Sequence, residues 1–196
     1  GIPNAISKLV AERCALDDYK GAIKIFKTAL LLFFCVGLFF SCVMFFGAGF
    51  IARVIFDTPP AIFTIKALSP AIVFVSVSSV IRGFFAGQQN MQATNTSQVL
   101  EQFLKSTSTI LIVLAMAGSK PEYMAAGATL STTLSTLLSC VYLFGFLAAH
   151  RKSIRENISL APPSKIKSGL LKTAKMILFV SIPISLGSIV ASLNRV

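Results

Sequence analysis

At 196 residues, with 55% hydrophobic side chains, 13% charged ones and a mean hydropathy of +0.79, the chain is too apolar for a water-soluble domain, whose surface needs roughly twice that share of charge. The net charge of +11 would suit a nucleic-acid binder if Lys and Arg formed a face on a soluble fold, but they cluster in gaps between apolar runs, which argues against nucleic acid and for a membrane protein. Cys14, Cys35, Cys42 and Cys140 form no CxxC pair and His150 stands alone, so no disulfide framework, metal site, cofactor or Ser-His-Asp chemistry is expected.

A helix needs about 20 apolar residues to cross roughly 30 Å of hydrocarbon, so the uncharged runs predict the elements. Residues 1–12, "GIPNAISKLVAE", read as the end of a helix, and the whole chain as a single membrane-domain fragment of something longer. A loop over 13–27 carries the turn "LDDYK" and the amphipathic "GAIKIFK" into a first span at about 28–52, uncharged throughout. A second span is expected at about 66–87. Its uncharged part, 67–81, is too short to cross alone, and the necessary extension takes in Arg82. After a loop at 88–98, a third span at about 99–118 likewise reaches its length only by including Glu101 and Lys105. A fourth, at 123–149, is uncharged throughout, and a basic loop at 150–173 leads to a fifth at 174–196, where Pro183 and Gly187 predict a kink. The fold class is therefore all-α, a polytopic transmembrane helix bundle.

Of the 18 Lys and Arg residues, all but Arg53, Lys66, Lys120 and Arg195 fall on the side of the loops at 13–27, 88–98 and 150–173. The positive-inside rule makes that side cytoplasmic. Most of these cations are topology signals and contacts to anionic headgroups, and His150, beside Arg151 and Lys152, reads as an interfacial residue.

Ionisable groups within spans cost about 2.5 to 3.5 kcal/mol at a helix centre and so tend to face a bundle interior or a wet cavity. Arg82 has Ser76, Ser78, Ser79, Gly83, Gly87, Gln88 and Gln89 around it in sequence, which makes one end of its helix slim and polar. It either snorkels to the interface or faces a cavity, and the small residues equally suit close helix packing. Glu101 and Lys105 share a helical face with Gln98 and Gln102, either as a self-neutralising surface pair or as a stripe lining a passage. Arg195 follows a long uncharged run. Inward-facing arginines suit an anion, because a guanidinium forks onto phosphate oxygens; a cation transporter would want several buried carboxylates, and the spans contain only Glu101.

Three stretches carry a resemblance: "GIPNAISKLVAE", "LSPAIVFVSVSSVIRGFFAGQQNMQATNTSQVLEQFLK" and "SIPISLGSIVASLNRV". Together they resemble the stage V sporulation protein B-like polysaccharide-biosynthesis branch of the multidrug/oligosaccharidyl-lipid/polysaccharide exporter superfamily, kin to the lipid II flippases. The resemblance implies two six-helix lobes around a central cavity, of which this chain forms most of the first, from the end of the second helix into the seventh. It implies a bacterial cytoplasmic membrane location. It also implies alternating-access flipping of a lipid-linked, undecaprenyl diphosphate-type sugar, with no bond made or broken. The hypothetical cavity residues are Arg82, Glu101 and Lys105 at the RG and Q-x-x-E-Q-x-x-K positions, with Gln98 beside them and Asn194 and Arg195 near the kinked helix; Pro183 and Gly187 are the hinge. The alternatives are a multidrug/cation antiporter on the same fold, which predicts cavity carboxylates elsewhere in the protein, and a non-transporting scaffold in envelope or spore assembly. A membrane glycosyltransferase would need a carboxylate cluster, and Asp17-Asp18 is the only acidic pair, so no enzyme is expected.

Overall fold

The computed structural model describes residues 2–55, 61–116, 121–152 and 170–193. Among these there are six α-helices and no strand: α1 Ile2–Ala15, α2 Tyr19–Phe50, α3 Ala61–Gly87, α4 Met91–Ala115, α5 Pro121–Ala149 and α6 Leu170–Leu193. The all-α expectation holds. A π-helical turn, Ile51–Ile55, continues α2. The amphipathic "GAIKIFK" lies within α2, and α4 begins at Met91. Among the described residues, three helices are long and apolar enough to cross a bilayer: Tyr19–Val54, Ala61–Gly87 and Tyr123–Ala149. Their outward faces suit hydrocarbon, since Phe39, Phe40, Phe46 and Phe50 of α2 all stand exposed. The chain is thus a multi-pass membrane protein.

The chain divides into two compact units. The first comprises Gly1–Phe33, Ser79–Asn95 and Leu143–Val196. Its core interleaves Ile6 and Val10 of α1, Ile25 and Phe26 of α2, Ile81, Phe84 and Phe85 of α3, Leu143 of α5 and Ile177 of α6. The Phe26 and Phe84 rings lie 4.4 Å apart, and the edge of Phe85 meets Phe146 at 5.2 Å. α1 packs on α6 and on α3. A Cβ at Gly83 would stand 2.7 Å from the Pro3 carbonyl oxygen, and one at Gly87 would stand 2.7 Å from Val10 Cβ. The pair is a small-xxx-small seam that lets two backbones approach where burying apolar surface gives little net drive, because lipid is as apolar as the helices.

Two helix-to-helix joints in this unit share one construction. Leaving α1, Asp18 N–H donates to the Arg13 carbonyl at 2.9 Å and Asp17 N–H to that of Cys14 at 3.1 Å, with Asp17 left-handed at φ 54. Leaving α3, Asn90 N–H donates to the Phe85 carbonyl at 3.0 Å and Gln89 N–H to that of Ala86 at 3.1 Å, with Gln89 at φ 60. Both are Schellman endings with a residue other than glycine at the left-handed position. Asp18 then caps α2, its Oδ1 accepting from Gly21 N–H at 2.8 Å.

The second unit comprises Phe34–Ser78 and Thr96–Tyr142. Hydroxyls tie its helices together. Ser41 of α2 donates to the Ser69 carbonyl of α3 at 2.8 Å, and Thr133 of α5 to the Ala67 carbonyl of α3 at 2.6 Å. Thr109 of α4 meets Ser131 of α5 at 2.6 Å, and Ser139 of α5 donates to the Ser97 carbonyl of α4 at 3.1 Å. Such bonds between membrane helices contribute about 0.6 kcal/mol each on average.

Candidate functional site

The proposed site residues fall in both units and are described unit by unit. In the second unit, Gln98, Glu101 and Lys105 are spaced three and four apart on α4, which places them on one face together with Thr109. The opposite face carries Val99, Phe103, Ile110 and Leu114, all well exposed. α4 is therefore amphipathic in register with the helical period, although both faces alternate through a single 25-residue helix. Glu101 is half-buried and accepts a long hydrogen bond from Thr136 Oγ1 at 3.5 Å, while Gln98 and Lys105 are exposed. Ser135, Thr136 and Ser139 are almost fully buried along α5, so the acid stands beside a seam of hydroxyls rather than against hydrocarbon.

In the first unit, Arg82 is half-buried, flanked in sequence by Ile81 and Gly83, which are both buried. Its backbone carbonyl accepts from Thr94 Oγ1 at 3.3 Å, a contact that ties the end of α3 to the start of α4. The neighbouring glycines serve α1 packing, as the competing explanation for the small residues required. On α6, Pro183 lies inside the helix and is exposed; its ring nitrogen leaves the Phe179 carbonyl without its usual helical donor. A Cβ on Gly187 would meet nothing within 4 Å, so no neighbour requires glycine there. Asn194 and Arg195 lie outside the described residues, as does most of the loop at 150–173.

The first unit also holds a feature that no motif announces. A cavity of about 430 Å³ lies at the two joints, lined by Cys14 and Tyr19 from one, Gln88, Gln89 and Asn90 from the other, and His150 at the end of α5. The His150 ring stacks on Phe146 with centroids 4.1 Å apart, and Nδ1 lies 3.0 Å from the Phe146 carbonyl oxygen. Burial pushes the Cys14 thiol above its ordinary range. Sequence reasoning placed His150 at the interface and treated the glutamines only as a polar helix end; nothing in their spacing pointed to a shared cavity.

Comparison with known proteins gives a concordant result. The family model described as polysaccharide biosynthesis protein matches residues 1–196. Stage V sporulation protein B of Bacillus subtilis (strain 168) is 35% identical over 144 residues, covering 74% of this chain. Lipid II flippase MurJ of the same organism is 24% identical over 155 residues, covering 75% of this chain. In both cases the match spans 28% of the relative's length. No solved structure matches the chain.

Proposed function

Since the chain belongs to the polysaccharide biosynthesis protein family, we propose that it is part of a membrane transporter that flips a lipid-linked, diphosphate-bearing sugar across the bacterial cytoplasmic membrane. The observation that carries this reading is the polar face of α4, Gln98, Glu101 and Lys105, set opposite a face carrying Val99, Phe103, Ile110 and Leu114 that suits lipid. A polar face of this kind is wasted against hydrocarbon and suits a wet passage. One relative, lipid II flippase MurJ of Bacillus subtilis, supports the cargo class. The work is transport rather than bond chemistry.

In the proposed mechanism α4 and α6 cross the membrane alongside α2, α3 and α5, with the two joints on the cytoplasmic side, as the distribution of Lys and Arg favours. The headgroup enters from that side. Within the second unit Lys105 offsets phosphate charge and Glu101 keeps the passage from becoming a trap by offsetting part of the positive charge; in the first unit Arg82 suits phosphate through a forked pair of N–H donors. α6 bends at Pro183 and Gly187 as the protein changes the side to which the passage opens.

The test is translocation of a lipid-linked diphosphate sugar by the full-length protein in liposomes. A charged hydrogen bond to phosphate contributes about 1.5 to 3 kcal/mol, so Arg82→Ala is expected to lower efficiency on the order of 10- to 100-fold, with Arg82→Lys between the two. Unchanged rate and affinity in Arg82→Ala would remove Arg82 from the site, and no translocation by the unaltered protein would remove the function.

A further inference from the structure

The cavity at the two joints has the volume of a small-molecule site, about 430 Å³ against the usual range of roughly 300 to 1,000 Å³. Among the described residues, no Lys, Arg, Asp or Glu lines it. Its polar lining is dense and consists mainly of amides. Gln88, Gln89 and Asn90 are three consecutive amides, each with donors and an acceptor, on a turn whose backbone is held by the bonds from Gln89 and Asn90 back into α3. The carbonyl oxygen of Phe146 can only accept, so His150 Nδ1 donates to it, and Nε2 is the ring's second polar atom. Stacking on Phe146 fixes that ring's orientation. Tyr19 adds a phenol, and the apolar part of the lining comes from Phe85 and two alanines, Ala11 and Ala15.

Many neutral donors and acceptors beside a small aromatic and methyl surface match a ring that carries hydroxyls on its rim and C–H bonds on its face. We propose that this cavity binds an uncharged saccharide ring through Gln88, Gln89, Asn90, Tyr19 and His150. Resting on the transport reading, the saccharide is the sugar of the lipid-linked cargo, held at the cytoplasmic joints before or after its diphosphate meets the passage. The site is distinct from the residues proposed to compensate phosphate, none of which lines the cavity.

The experiment uses the full-length protein in detergent, titrated with glucose, N-acetylglucosamine and glucuronate and followed by saturation-transfer NMR. At least one neutral sugar is expected to bind saturably, and the double substitution Gln88→Ala, Asn90→Ala to weaken it on the order of tenfold or more. Alkylation of Cys14, with Cys35, Cys42 and Cys140 replaced by serine, supplies a second readout in which no amide of the cavity is altered. The bound sugar is expected to slow it. Binding of neither neutral sugar, binding that neither protects Cys14 nor responds to the double substitution, or tighter binding of glucuronate would each overturn the site. Sugar binding with Cys14 protection, in a protein that moves no lipid-linked cargo in liposomes, keeps the site and defeats the transport reading. Translocation by a protein indifferent to both neutral sugars does the reverse.

Discussion

Glu101 is the residue at which the transport reading can be tested by a single change of charge. It is half-buried beside Thr136, on the helix face that also carries Gln98 and Lys105, whereas Val99 and Phe103 turn the other way. Glu101→Gln keeps the shape and the acceptor for Thr136 but removes the charge, so stability is expected to change by less than about 1 kcal/mol while translocation changes severalfold. Thermal unfolding and liposome assays on the same preparation separate the two; a loss of stability without a change in translocation would make the residue structural. Cys14 gives an independent check on the joint. Burial favours its neutral thiol, so the folded protein is expected to alkylate at a pH above the ordinary thiol range. The sign carries to stability: the neutral form's advantage is complete below the unfolded-state pKa and is lost as pH rises through the raised folded value. An alkylation midpoint at or below that of the unfolded chain would contradict this.

Among the elements, α1 and α3 approach closely at Gly83 and Gly87, and the glycines that permit it differ sharply from those that do not. At Gly87 a Cβ would lie 2.7 Å from Val10 Cβ and 2.8 Å from the Ser7 carbonyl oxygen, while at Gly145 and Gly187 it would meet nothing within 4 Å. Gly87→Ala is therefore expected to cost about 1 to 3 kcal/mol through overpacking, and Gly145→Ala to cost nothing or to stabilise slightly through helix propensity. Gly187→Ala should also preserve stability. As the hinge partner of Pro183 it is expected to slow transport severalfold by stiffening α6, and an unchanged rate would leave Pro183 as the only bend. The helices themselves were legible in the sequence because uncharged runs such as 28–52 and 123–149 are long enough to count. Their endings were less so. The chain reverses at Asp17 and Gln89 in a left-handed conformation normally signalled by glycine, and here backbone hydrogen bonds into the preceding helix outweigh the steric cost of a side chain.

For the molecule as a whole, what the sequence displayed was the outside: apolar faces and an uneven distribution of Lys and Arg between the gaps. The family followed from three stretches that the comparisons support over the full chain. The joint cavity was illegible for a physical reason, since Cys14, Tyr19, Asn90 and His150 come from separate parts of the chain and none is unusual where it stands. The hydroxyl seam of the second unit was hidden too, because Ser131, Thr133, Ser135, Thr136 and Ser139 read as an ordinary weakly polar stretch until α3 and α4 are placed against them. The sidedness gives a prediction of its own. Reporter fusions near Asp17 and Gln89 in the full-length protein should both be cytoplasmic, and opposite locations for the two would overturn the topology.

The central physical claim is that α4 carries a water-accessible polar face through a membrane while its other face meets lipid. In the full-length protein with Cys14, Cys35, Cys42 and Cys140 replaced by serine, single cysteines at positions 98, 101 and 105, and in turn at 103 and 110, report this through reaction with a membrane-impermeant maleimide. The expected result is rapid reaction at 98, 101 and 105, slowed at 101 and 105 by lipid-linked diphosphate sugar, and little reaction at 103 and 110. Equal reaction on both faces, or none at 101 and 105, would contradict it.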